Sequence, residues 1–544
     1  MHYLNGRFIL IILCLLLGTL VRINGITWGI PQDLAQHAPL HPDEAWAMTV
    51  LSQFNIDLLD LNPEEAHREG TFAYFIWGAI AYLLKLFGLI KNTPFLGQAY
   101  DNDYATVLLA GRLVTSIIDI ISGVLVYMCI NLCTRKFIPS FIGLLVFLFT
   151  PFEVIHAHFM RTHIIANFFI CAVIYFSFRI INSKSLFNFV MIGFLSGLGI
   201  ATRYPTGAIL IVPALSYFHH VSSFSKIKDG VTSFIRRFLF NYGLLLLILF
   251  LLIGLFIGLP FIFLDFQAAK PHLFHQASYV AKDEFSLLGL LRLDRIIAYT
   301  NYLIPYGNLP FLWILYYLSI CIIIFFRAHT KYTVPLISFM VIYLYLMAKG
   351  YFQSAIFIRA AIPIFPPLAI CTGLAFDTIY ERSTPNIKKL ILALYLSLTI
   401  PSILYLFSYT NSMKSDARIE LAQYLKNNWN KRTIKIGAYS HPHNYITIKP
   451  TLDSLSNHNV IFIESSSFAN RDNSDIDFLI LSSFEYQDYS DMKQRGHWLK
   501  HSGKFTKVGA FTPNLKFAGF DFNYNRNPHD LSYPLVSLEL WKRK

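Results

Sequence analysis

The stretch Pro39-Leu40-His41-Pro42-Asp43-Glu44-Ala45-Trp46 sets two adjacent carboxylates about twenty residues beyond an apolar run, Phe8 to Val21, which itself follows a short basic segment ending at Arg7. No small-x-small cleavage site follows that run, and Arg22-Ile23-Asn24-Gly25 comes next, so it reads as an uncleaved membrane helix with its N-terminus in the cytoplasm. The carboxylate pair is then delivered to the opposite face. A proline followed by acidic residues suits the first turn of a helix, where the dipole favours negative charge. Two carboxylates beside a membrane face also suit chemistry that deprotonates a hydroxyl or holds a cation beside a phosphate. The residues alone leave both readings open.

The rest of the chain is built to sit in a bilayer. Its 544 residues are 55% hydrophobic, 16% aromatic and 14% charged, and the mean hydropathy is +0.48. A soluble domain is about 25% charged, so these few charges could not cover a globular surface of this size. Forty-five Lys and Arg against 32 Asp and Glu give +13, which in a soluble chain would raise the question of nucleic acid. Here the cations gather in short loops between apolar spans, as the positive-inside rule expects, with no basic face interleaved with aromatics. The partner implied is the lipid bilayer and no nucleic acid. Cys14, Cys129, Cys133, Cys171, Cys321 and Cys371 all lie within apolar runs and read as small apolar fillers, with no disulfide framework or cysteine metal site.

Further apolar runs lie near 106–132, 137–151, 163–180, 187–202, 206–220, 236–262, 309–327, 332–348, 359–380 and 388–408. With the first run they predict about eleven spans, of which 137–151, 187–202 and 206–220 are short enough to require tilt, thinning or a re-entrant path. Alternation places Arg135, Lys136, Arg179, Arg236, Arg237, Lys388 and Lys389 on the cytoplasmic side, and residues 24–105, with ten acidic residues against Arg68, Lys85 and Lys91, outside. The stretch 72–90 is apolar but interrupted by Lys85. Counting it as a span would invert the parity, so it is expected to lie along the outer interface. After Leu406 polar residues become frequent. Asp416 to Trp429 reads as an amphipathic helix, and Thr433–Tyr439, Val460–Glu464 and Asp477–Leu481 as strands. The expected organisation is a membrane domain over 1–410 and an extracytoplasmic α/β domain over 411–544.

Two further groups of residues could carry chemistry. Glu153, His156, His158 and His163 lie at the next outward turn, and imidazole with carboxylate suits zinc or manganese, although histidines at a water-membrane boundary also serve as packing and hydrogen-bonding groups. Arg112, Arg203, Lys349 and Arg359 lie at the outer ends of spans. Such cations snorkel, pair with carboxylates or line a polar cavity. Arg203 precedes Tyr204-Pro205 and Arg359 precedes Pro363, and prolines can break a helix where a ligand must approach. Arginine can also hold a phosphate through two parallel hydrogen bonds.

His41-Pro42-Asp43-Glu44 resembles the acidic signature in the first outer loop of polyprenyl-phosphate-sugar-dependent glycosyltransferases of the GT-C fold. It is similar to the protein O-mannosyltransferase and aminoarabinose-transferase group, that is, glycosyltransferase family 39-like. Asp60-Leu61-Asn62-Pro63, Gly70-Thr71-Phe72-Ala73-Tyr74-Phe75, Gly111-Arg112-Leu113, the run Gly197 to Tyr204, Gly258-Leu259-Pro260 and Arg359 with Pro363 are similar to further pieces of that pattern. The resemblance covers nearly all of residues 1–410, and HPDE also occurs in mannosyltransferases of the glycolipid-anchor pathway.

What the resemblance implies is an α-helical polytopic GT-C enzyme in a prokaryotic plasma membrane, carrying sugar from a polyprenyl-phosphate donor to a protein, lipid or glycan hydroxyl. It implies Asp43 as general base, Glu44 assisting, and Arg112, Arg203, Lys349 and Arg359 as the basic positions near the lipid phosphate. Where many relatives have an acidic residue in the second outer loop this chain has His163, which argues against asserting a metal; a divalent metal remains open and no other cofactor is implied. Direct displacement would invert the anomeric centre. The competing readings are a transporter or flippase of lipid-linked sugars, whose ionisable residues usually lie near the midplane, and an enzyme like an O-antigen ligase or polymerase.

Overall fold

Long apolar segments in a chain this poor in charge satisfy their backbone hydrogen bonds internally, as helices. The structure is a computed structural model that describes residues 2–30, 40–55, 60–63, 67, 69–91, 102–183, 185–224, 242–267, 269–273, 293–350, 358–429, 434–439, 459–463, 476–483, 503–523 and 529–544. In chain order the principal helices are α1 (His2–Ile23), α2 (Pro42–Gln53), α3 (Phe72–Leu86), α4 (Asn102–Thr134), α5 (Phe137–Leu148), α6 (Pro151–Ala157), α7 (Thr162–Asn182), α8 (Leu186–Thr202), α9 (Ile211–Phe224), α10 (Tyr242–Gly258), α11 (Leu312–Phe326), α12 (Thr330–Gly350), α13 (Phe365–Glu381), α14 (Pro385–Ser412) and α15 (Ala417–Trp429). Tight 3-10 turns over Tyr204–Leu210 and Ile358–Ile364 lead into α9 and α13.

Every expected apolar run holds a helix. Six helices among the described residues are long and apolar enough to cross a membrane, and α5 with α6, bent by 54° at their break, bring the number to seven if the pair is counted as one span. The short run at 137–151 is thus a broken helix, interrupted where Pro151 cannot continue the hydrogen-bond ladder of α5. Helices α8, α10 and α11, of 17, 17 and 15 residues, are apolar but shorter than a full span. Helices α8 and α10 approach until a side chain on Gly193 or Gly197 would strike the backbone of α10, 2.1 Å from Leu247 O and 2.4 Å from Leu251 O. Small residues at matched turns let two helices pack backbone to backbone where lipid supplies no hydrophobic drive. Helix α3 buries Ala73, Tyr74, Trp77 and Ala81 and leaves Tyr82, Leu83 and Leu86 exposed.

After α15 the chain forms a five-stranded sheet in the order β2-β1-β3-β7-β4. Strands β1 (Lys435–Tyr439), β2 (Asn459–Ile463) and β3 (Phe478–Ser482) fall on the three strands expected from the sequence, and they pair in parallel. Strands β4 (Phe505–Phe511) and β7 (Leu538–Arg543) add antiparallel, and β5 (Lys516–Phe517) with β6 (Phe520–Asp521) makes a hairpin. The sheet region is bound to the end of α14 and to the loop after α1. Trp28 Nε1 donates to Asp416 Oδ2 at 2.8 Å, Arg418 chelates Asp416 and donates to Tyr533 O at 2.8 Å, and Tyr409 OH donates to Leu531 O at 2.9 Å.

Candidate active site

The acidic stretch forms the first turn of α2. His41 is the N-cap in an extended conformation, Pro42 occupies the first helical position, and Asp43 and Glu44 follow where the exposed N–H groups favour negative charge. Adjacent helical residues point about 100° apart, so the two carboxylates enter different surroundings.

Glu44 turns inward and is fully buried. Its oxygens meet Arg112 Nε at 2.8 Å and Nη2 at 2.6 Å, and Oε1 also accepts the backbone N of Met160 at 2.8 Å. Arg112 Nη1 donates to Ile26 O and Trp28 O at 2.6 and 2.7 Å. Arg112 therefore does not line up with the other expected phosphate-binding residues. Its donors are spent within the fold, joining α2, α4 and the loop after α1.

Asp43 turns outward, with 35% of its side chain exposed. Its Oδ2 is paired with Arg161 Nη2 and lies 3.2 Å from Arg359 Nη1. Arg161, absent from the expected set, is the residue before α7, held in extended conformation by the chain entering that helix. Its Nη1 lies 3.2 Å from His41 Nε2 and the Asp43 backbone N lies 3.3 Å from His41 Nδ1, so both ring nitrogens face donors and the one that carries no hydrogen accepts. Burial, then the neighbouring Arg161 charge, hold the His41 pKa well below 6.5. Protonation would place an N–H against a donor. Phe159 and Tyr533 flank the ring at 4.4 and 4.9 Å between centroids.

Arg359 sits in the 358–364 turn, which α7 helps to fix: Asn167 Nδ2 donates to Glu153 Oε1 at 2.7 Å and to Ile362 O at 3.3 Å. Its backbone N donates to Asp530 Oδ2 at 3.0 Å and its Nη1 lies 2.9 Å from Asp530 Oδ1. Asp530 comes from the short helical turn His529–Ser532 of the C-terminal region, and no local sequence signal marks it. Arg203, the C-cap of α8, places Nη1 2.6 Å from His163 Nε2. Gly70 holds that end of α8: at φ +109 its missing Cβ would fall 2.6 Å from Ala201 O and 2.7 Å from Thr202 O. Lys349 lies on α12, but its side chain is outside the described residues.

The structure does not assemble the Glu153, His156, His158 and His163 alternative. Among the described residues no three His, Cys, Asp or Glu side chains come together as metal ligands. His158 is bound through both nitrogens to Val154 O and Asn24 O, His156 Nδ1 meets Phe152 O, and His163 meets Arg203. Around Asp43 the neighbours are guanidinium groups, a donor set that suits an anion better than a divalent cation.

No family model matches the chain, and no curated protein matches it. Among solved structures, the archaeal oligosaccharyltransferase AglB from Archaeoglobus fulgidus, in complex with an inhibitory peptide and a dolichol-phosphate, is similar with a TM-score of 0.51 and 11% identity, over 97% of this chain and 77% of that one. ArnT from Cupriavidus metallidurans bound to undecaprenyl phosphate matches over 98% of both chains at 11% identity and a TM-score of 0.42. The S. cerevisiae protein O-mannosyltransferase Pmt1-Pmt2 complex, bound to the sugar donor, matches over 48% of this chain and 34% of that one at 12% identity and 0.35. The likeness to AglB concerns the architecture: this protein has a GT-C fold, a polytopic helical bundle with a small C-terminal sheet region.

Proposed function

We propose that the chain is a membrane glycosyltransferase that moves a hexosyl or pentosyl group from a polyprenyl-phosphate donor to an acceptor hydroxyl on a protein, lipid or glycan. The observation that carries this reading is the outward carboxylate of Asp43, held beside Arg161 and Arg359 at the start of α2. A glycosyl phosphate brings its own leaving group, so the chemistry needs a base toward the acceptor and cations toward the phosphate.

Asp43 takes the acceptor proton as the acceptor oxygen bonds to the anomeric carbon. The bond from that carbon to the phosphate oxygen breaks, and its electron pair leaves on the lipid phosphate with inversion. Arg359 and Arg161, with Arg203 at the end of α8, stabilise that phosphate, while Glu44 and Arg112 brace the first turn of α2.

The reaction is assigned to the extracytoplasmic face of a prokaryotic plasma membrane, with the N-terminus cytoplasmic and residues 411–544 forming an outer α/β domain. Contact between Arg359, Asp43 and Asp530 supports the shared side, because the chain must then cross the bilayer an even number of times between residues 43 and 530. Ten runs after residue 105, with α3 along the interface, satisfy that parity and give eleven spans in all.

The test is sugar transfer from defined polyprenyl-phosphate sugars by purified wild type and Asp43→Asn. Loss of the base is expected to lower kcat by about 10²–10⁴-fold with the donor still bound. Intact turnover in Asp43→Asn, with movement of the glycolipid across vesicles abolished, would favour the flippase reading and remove Asp43 as base.

A further inference from the structure

A carboxylate pinned by two guanidinium groups is a poor base, because each opposite charge within about 4–6 Å favours its ionised form. Asp43 is in that position, yet one of its two arginines is shared. Arg359 Nη1 lies 2.9 Å from Asp530 Oδ1 and 3.2 Å from Asp43 Oδ2, and the Arg359 backbone N is bound to the other Asp530 oxygen at 3.0 Å. Asp530 is 1% exposed, and the turn that carries it is seated by Tyr409 OH on Leu531 O and by Arg418 on Tyr533 O. A buried carboxylate from the far end of the chain thus holds both the backbone and the head group of an arginine that also touches Asp43.

We propose that Asp530 is a positioning residue for the transfer reaction: by holding Arg359 through two contacts, it keeps that guanidinium from closing fully on Asp43 and leaves Asp43 the proton affinity a base requires. The inference rests on the glycosyl-transfer reading and extends it to the C-terminal region, which the first-loop signature does not reach. Facing Asp43 are His41 from the entry to its own helix, Arg161 from the start of α7, Arg359 from the 358–364 turn, and Asp530 with Tyr533 from the C-terminal region. His156 on α6, His163 on α7 and Arg203 at the end of α8 stand behind them. Removal of the Asp530 charge acts twice in one direction. A nearby negative charge that favours protonation of Asp43 is lost, and Arg359 loses the carboxylate that competes with Asp43 for its head group.

The experiment is the pH profile of kcat/KM for wild type, Asp530→Asn and Asp530→Glu with a polyprenyl-phosphate sugar that wild type turns over. In Asp530→Asn the acid limb is expected to move down by on the order of one pH unit, and the plateau to fall a few-fold because the base is weaker. Asp530→Glu, which keeps the charge, should return the limb toward the wild-type position. Tyr409→Phe loosens the seat of the turn without touching either carboxylate and should shift the limb the same way by less, which preserves the test if Asp530→Asn does not fold. Acid limbs that coincide with wild type in the variants that fold, whatever their plateaus, would overturn the positioning role, since a merely structural contact lowers the plateau alone. Failure of wild type to transfer sugar from any polyprenyl-phosphate donor would instead overturn the underlying reading, and this inference with it.

Discussion

Replacing Glu44 by Gln should destabilise the fold by about 3–5 kcal/mol, the usual cost of breaking a buried ion pair from one side. Both carboxylate oxygens are in use: Oε2 faces Arg112 Nη2 at 2.6 Å, and Oε1 takes Arg112 Nε and the Met160 backbone N, each at 2.8 Å. Neither side chain has any exposed surface, so water cannot replace a lost partner. In Glu44→Gln one oxygen becomes an NH₂ aimed at a guanidinium donor, and the buried Arg112 charge keeps only neutral acceptors, the remaining amide oxygen and the carbonyls of Ile26 and Trp28. The expected loss corresponds to a drop of about a hundredfold to a few thousandfold in the folded-to-unfolded ratio. Unfolding of the purified protein in detergent, followed by heat or denaturant, measures it. The charge-free double variant Glu44→Gln with Arg112→Met should recover much of the loss, because exchanging a whole buried pair for neutral groups costs little. Wild-type stability in Glu44→Gln, accompanied by the same loss of sugar transfer as Asp43→Asn, would make Glu44 a reacting group and refute the assignment of the two carboxylates to different tasks.

Gly70→Ala should introduce about 1–3 kcal/mol of strain, since φ +109 is unfavourable for a side chain and the new Cβ would press on the carbonyls of Ala201 and Thr202. The donor KM should rise as Arg203 is displaced; an unchanged thermal midpoint and KM would remove Gly70 as the support of that helix end. His41 is buried and neutral, with a folded pKa below the 6.5 expected when unfolded, so the unfolded chain binds the additional proton as pH falls. Its contribution to stability is therefore complete above about pH 6.5 and is lost progressively below it. His41→Asn, which has no ring to protonate, should flatten part of the decline in thermal midpoint between pH 7 and pH 5, and a decline identical to wild type would count against a buried neutral His41.

How much of this could be read in advance follows from the distance over which each contact acts. The helices were legible because a bilayer demands long apolar segments whatever surrounds them, and α15 with the first three strands was legible from local periodicity. Asp43 was legible as part of a helix start whose signature lies within four residues. The opposite fates of Asp43 and Glu44 were not, because neighbours in sequence leave a helix in different directions and only tertiary packing says which meets Arg112. Arg161 stands two residues before His163 at the second outward turn, but its pairing with a residue 118 positions earlier carries no local pattern. Asp530 was hidden more deeply: a single aspartate in a polar segment acquires meaning only when the chain brings it back to Arg359, 171 residues away. The histidines of the second turn look like a ligand set when written in a line, whereas folding spends them on backbone carbonyls and on Arg203.

The seat of the His529–Ser532 turn against Arg359 also bears on the order in which the protein is made. A ribosome releases Asp43, Arg161 and Arg359 long before residue 530, and the membrane helices can pack as they emerge. Until Asp530 arrives, the Arg359 backbone N–H and guanidinium lack the partner that seats them in the finished fold. Asp530 follows Arg359 by 171 residues, so a nascent chain would hold its helical bundle before it held this contact.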